Sequence, residues 1–133
     1  MGYYINQRGD KFRIESDQVG EAFLTLQHYA SEHGMAWVCR DACENASDFK
    51  NLMSECRWDI QIDQNGTVIW ISFNGEKSGD QDQVLKVLAP YVKSRSWIEM
   101  QGEGGVVWRY AFYKGTFKEV EGILTFDMPW DED

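Results

Sequence analysis

Apolar and polar positions along this chain follow two different periods, and the switches between them mark out the elements. Short β-like runs at Gly2–Asn6 and Lys11–Glu15 flank Arg8-Gly9-Asp10, which predicts a turn between two strands. Val19, Ala22, Phe23, Leu26 and Ala30 then recur at helical spacing, forming one face of a helix that ends near His33, before Gly34. Ser16 and Asp17 are its N-cap candidates, because their side-chain oxygens can accept from the free N–H groups of a first turn. Met35–Cys39 reads as a short strand. Ser47 is expected to cap a second helix with Phe49, Leu52, Met53 and Cys56 on its apolar face.

Trp58 to Phe73 alternates as a hairpin. Asn65-Gly66 suits a type I′ turn, in which both central residues take positive φ. A two-residue loop pairs Ile62 with Ile69, Ile60 with Ile71 and Trp58 with Phe73, all on one face. The other face receives Asp59, Gln61, Asp63, Val68, Trp70 and Ser72, where Trp70 stands out. Asp80, with Gln83 three residues on, starts a third helix whose stripe is Val84, Leu85, Leu88, Tyr91 and Val92. Pro90 lacks a backbone donor and should end or kink that helix near Ala89.

Beyond it, a three-residue loop at Glu103–Gly105 pairs Met100 with Trp108 and Ile98 with Tyr110 on one face, and Glu99 with Arg109 on the other. Lys114-Gly115 turns the chain again into Thr116–Phe126, whose broken alternation around Glu119, Val120 and Glu121 predicts a bulge. The expected order is ββα(β)αββαβββ. Segments 2–39 and 58–101 share a hairpin, helix, strand rhythm. The fold class is α+β: one domain over 1–133, mainly an antiparallel sheet with about three helices packed on one face, and an acidic tail at 127–133.

Composition changes this picture in two respects. The chain's formal charge of −9 disfavours direct binding to nucleic acid or to an anionic membrane, which both need a Lys/Arg footprint. The acid excess is spread over both halves, apart from the tail DMPWDED, so the dense carboxylate runs of a DNA mimic are missing. Aromatic content of 14%, with six Trp, means either a bulky core or rings that face a partner. Three cysteines and no secretory or membrane-spanning run indicate reduced thiols in a cytoplasm.

Candidate chemistry is sparse. His33, Cys39, Cys43 and Cys56 carry zinc-binding atoms, but their spacing is not that of a zinc knuckle, and Cys56 falls on an apolar helix face. Gly102–Gly105 reads as a turn rather than a phosphate loop. Gly75–Asp80, before a helix, is better placed for an anion but carries Glu76 and Asp80. Glu99, Glu119 and Glu121 with Arg109 are candidates to converge on the polar sheet face. There, paired acids would do acid–base work if burial separated their pKa values; a solvated charge ladder is the default. Trp70, Trp97 and Tyr113 all project to the side opposite the apolar set.

The opening MGYYI, the DQNG hairpin, GEKSGD, LAPYV and SWIEMQGEGG-x-x-WRYAF resemble a set of small proteins from phages, prophages and their bacterial hosts. The similarity covers mostly 58–113 and the first five residues. It implies a shared fold and supplies no catalytic residue. What it implies of function is a non-enzymatic inhibitor that binds a host defence machine, of the anti-CRISPR kind, acting through an acidic, aromatic-bearing sheet face. Its partner would be a host protein or nucleoprotein complex in the cytoplasm of the bacterial cell, with no direct nucleic acid or membrane contact. The candidate contacts are Trp70, Trp97, Glu99, Arg109 and Tyr113, with Trp130, Asp131 and Glu132 of the tail. No cofactor or metal is called for. Alternatives are a toxin-neutralising immunity protein, and a small hydrolase or nucleotide-binding protein using the sheet carboxylates.

Overall fold

The computed structural model describes residues 2–123. It is α+β: a four-stranded antiparallel sheet, a two-stranded sheet and four helices. The strands are β1 (Ile5–Lys11), β2 (Trp58–Ile62), β3 (Val68–Phe73), β4 (Trp97–Gly102), β5 (Val107–Tyr113) and β6 (Thr116–Glu121). The helices are α1 (Ser16–Glu32), α2 (Arg40–Glu44), α3 (Phe49–Glu55) and α4 (Gln81–Leu88). The larger sheet has the order β1-β4-β5-β6, and β2 pairs with β3.

The N-terminal hairpin expected around Arg8-Gly9-Asp10 is instead one strand. Gln7 lies opposite Met100 and Gly9 opposite Glu99, so Arg8 is an extra, bulged residue. Glycine within a strand often marks a bulge or a close approach, and a Cβ on Gly9 would lie 3.9 Å from the Trp97 ring.

Gln7 and Asp10 are paired with the buried Met100 and Ile98, so both side chains point inward. There they meet the edge of β3. Gln7 Nε2 donates to the Ile71 carbonyl at 2.9 Å, and its Oε1 accepts from the Phe73 N–H at 2.7 Å. The Asp10 carboxylate accepts from Gln7 Nε2 at 3.3 Å and lies near the Ile71 N–H, which lowers its pKa against the effect of burial. Further on, Ile14 and Val68 exchange backbone hydrogen bonds at 3.1 and 2.9 Å. Side chains thus replace the main-chain ladder between the two sheets for one stretch, satisfying groups that would otherwise be orphaned.

α1 packs against α2, α3 and α4, and α3 packs on β2. Their apolar stripes (Ala22, Leu26 and Ala30; Phe49, Leu52 and Met53; Val84, Leu85 and Leu88) are buried with Trp58, Ile60, Ile98, Met100, Tyr110 and Phe112. A polar hub ties the helices to both sheets. Buried Gln81 accepts from the Trp58 indole through its carbonyl (3.2 Å) and donates from Nε2 to Tyr110 Oη (3.0 Å). Pro90 lies in a 3₁₀ turn, Ala89–Tyr91, where α4 ends as expected.

Several local expectations need correction. Met35–Cys39 is not a strand but a turn with Trp37 at φ 66°, and α2 follows it. Asp48, not Ser47, caps α3, its Oδ1 accepting from Asn51 N at 2.8 Å. The cap position of α1 is Glu15, and neither it nor Asp80 of α4 makes a side-chain cap bond.

In the β2–β3 hairpin, Ile62 pairs with Val68 and Ile69 is the bulged residue, so Val68 is buried and Ile69 exposed. Asp63 causes this: its carboxylate accepts from the N–H groups of Asn65 (2.9 Å) and Thr67 (3.0 Å), and of the Asn65-Gly66 pair only Gly66 has positive φ. The turn with two positive-φ residues is Lys114-Gly115, at 49° and 78°. The β4–β5 register is the expected one, and β6 pairs regularly from Thr116 to Glu121 with no bulge.

Candidate functional site

Pairing fixes which side chains share a side of the large sheet. Lys11, Trp97, Ala111 and Lys118 lie in one row across it, and Gly9, Glu99, Arg109 and Val120 in the next. Both rows face away from the buried Ile98, Met100, Tyr110 and Phe112, and no described element covers them. This is the outer face.

Three of the expected contacts form one cluster there. The Arg109 guanidinium lies 4.0 Å from the centre of the Trp97 ring, and its Nε donates to Glu99 Oε1 at 2.9 Å. Bulged Arg8 reaches the other Glu99 oxygen at 3.4 Å. A guanidinium over an indole face gains from the ring quadrupole, and the shared carboxylate holds its orientation. Trp97, wedged between Gly9 and Arg109, is half-buried rather than projecting freely.

Trp70 and Tyr113 do not join that cluster. Tyr113 is 49% exposed under Lys114 Nζ at the turn into β6. Trp70, 38% exposed, stands with Ile69 in a cleft of about 510 Å³ walled by Lys11, Arg13, Lys93 and Arg95. Trp130, Asp131 and Glu132 lie outside the described residues.

The outer face is not acidic. Its two rows carry Lys11, Arg109 and Lys118 against the one acid Glu99, with bulged Arg8 beside it, while Ser16–Glu55, which spans α1 to α3, carries seven acids and two bases. The charge of −9 is therefore unevenly placed, with acid concentrated on the helical layer and base on the outer sheet face. The cleft's four cations escaped the sequence reading because whole-chain charge concealed them. Sequence spacing carries no signal for them, because Lys93–Arg95 is a turn with Arg95 at positive φ and β1 ends at Lys11. Trp37 was missed too. It is 60% exposed and forms a second aromatic patch with Tyr4 around Lys77 Nζ.

The carboxylates do not converge as a catalytic set would require. Glu119 and Glu121 lie opposite Tyr110 and Trp108, on the inner side at the sheet edge, while Glu99 faces outward. Of the zinc candidates, only Cys43 and Cys56 meet, with sulfurs 3.8 Å apart in the core, where burial raises both thiol pKa values. His33 is stacked on Tyr29 and Cys39 is exposed. Among the described residues no group of three or more His, Cys, Asp or Glu is placed to hold a metal ion.

Gly75–Asp80 is not an anion nest. Ser78 N–H goes to Tyr3 O and Gly79 N–H to Gln81 Oε1, while buried Arg57 donates to the carbonyls of Lys77 and Gly79.

Fold and site together define an α+β protein with an open, aromatic and basic sheet face. No protein-family model, curated protein or solved structure matches the chain. No helix among the described residues is long and apolar enough to cross a membrane.

Proposed function

We propose that this chain is a non-enzymatic binding protein that engages a protein partner through the outer face of its large sheet. The observation that carries this reading is the exposure of large apolar side chains on or beside a face that no described element covers: Ile69 44%, Trp70 38%, Tyr113 49% and Val120 45%. Aromatic and aliphatic anchors ringed by polar groups are what protein interfaces use, and Trp, Tyr and Arg dominate their hot spots. The Arg8–Glu99–Arg109–Trp97 cluster adds a fixed polar centre. Following the resemblance to small phage and prophage proteins, the partner is a component of a bacterial defence complex and binding inhibits it. The bases of this face meet acidic surface on that partner, a correction to the acidic face that the sequence led us to expect.

The test is expression of the chain in a bacterium with an active CRISPR system under phage challenge, with tagged protein recovered from the same cells. The expected result is restored plaque formation and co-recovery of a defence component. Undiminished defence, with no such component recovered, would overturn the assignment.

A further inference from the structure

The cleft around Trp70 has a chemistry that the aromatic face alone does not account for. It is lined by the apolar Ile69, Trp70 and Phe12 and by four cations, Lys11, Arg13, Lys93 and Arg95, against one acid, Asp10. Backbone bonds fix the cationic wall. Lys93 N–H donates to Arg13 O at 2.8 Å, and Arg95 N–H to Phe112 O at 2.7 Å. Arg95 sits at φ 78°, a left-handed conformation that glycine would take without strain, so an arginine is held there at a conformational cost. Glu15 pairs with Arg13 at 2.8 Å and with Lys93 at 3.6 Å. Lys11 and Arg95 have no ion-pair partner among the described residues.

We infer that this cleft is a docking site for an acidic polypeptide segment that carries an apolar side chain. The inference rests on the protein-binding reading above and names the partner chemistry that reading leaves open. The apolar side chain lies on Ile69 and Trp70, and its flanking carboxylates face Lys11 and Arg95. Charge complementarity with the local cations selects the segment, against the opposing net charge of −9.

The same cations favour a nucleic acid strand less. Non-specific nucleic-acid binding draws on many phosphate contacts, whereas here two of four bases already share Glu15.

The test titrates the whole chain with three labelled probes: a short peptide of alternating Glu and Leu, its Lys/Leu counterpart, and a single-stranded oligothymidylate. Anisotropy and Trp fluorescence are read at low and high salt. The Glu/Leu peptide should bind, weaken with salt, and lose roughly tenfold in affinity in the Lys11→Glu/Arg95→Glu variant. Trp70→Ala, checked with the double variant for an unchanged circular dichroism spectrum, should lose affinity without losing the salt dependence.

No binding of the Glu/Leu peptide, equal binding by the double variant, or preference for the oligothymidylate or the Lys/Leu peptide would each overturn the inference. These outcomes are separable from the wider reading. A Lys11→Glu/Arg95→Glu protein that still suppresses defence removes the cleft from the interface and leaves protein binding standing. A wild-type chain that binds the peptide but never suppresses defence does the reverse.

Discussion

Asp10 and Arg57 are the two residues whose surroundings depart most from what their types suggest. Burial raises the Asp10 pKa, with the Ile71 N–H opposing it. A carboxyl that holds its proton more tightly when folded than when unfolded adds stability as pH falls through its folded pKa toward the unfolded value of about 3.9. Above that window it is a net cost. Asp10→Asn keeps an oxygen for Ile71 and removes the charge, so it should raise the urea midpoint at pH 7. Its advantage over wild type should shrink as pH drops below the folded pKa; an advantage that grows would refute the burial account. Arg57, buried at φ 78°, holds the carbonyls of Lys77 and Gly79 and lies 5.0 Å from the Phe73 ring centre. Arg57→Ala leaves those carbonyls without their donor and should cost about 2–4 kcal/mol in chemical denaturation. Neither role was open to sequence reasoning, because both depend on which distant backbone edge lies beside the residue.

At the scale of elements, turn chemistry decides the hairpins, and it yields opposite expectations for two similar-looking turns. Lys114-Gly115 has positive φ at both positions, so Lys114→Asn, which tolerates that region better, should raise the thermal midpoint. A gain of about 0.5 kcal/mol is the right size. Asn65 has no positive φ, so Asn65→Gly keeps the backbone N–H to Asp63 but loosens the unfolded chain, and should lower stability by roughly 0.5–1 kcal/mol. If both changes act in the same direction, the turn assignment is wrong. The apolar stripes of the helices and the β4–β5 register were readable because binary pattern and loop length agree there. The β2–β3 register was not, because the Asp63 carboxylate ties up two N–H groups and inserts a bulge that Asn-Gly alone does not announce. The β1 bulge was hidden for a related reason: Arg8-Gly9-Asp10 has the composition of a turn, and only the Trp97 ring above Gly9 explains the glycine otherwise.

Across the whole molecule, the unequal placement of charge is what turns a fold into a candidate function. Counting over the sequence returns −9 and points away from acidic partners, while the fold gathers bases and aromatics on the outer sheet face and acids on the helices. Trp97, Glu99 and Arg109 could be placed together from strand register alone. The cleft around Trp70 could not, since it joins β1, β3 and the turn before β4, three segments remote in sequence.

The central claim is that a protein partner binds this outer face, and paired surface variants test it most directly. Arg109→Glu/Tyr113→Ser alters the outer face, and Leu24→Ser/Lys50→Glu alters exposed positions of α1 and α3. The account predicts that, with thermal midpoints unchanged, recovery of the defence component from cells collapses for the sheet variant and persists for the helix variant. Recovery that survives the sheet variant, or is lost only with the helix variant, would contradict it.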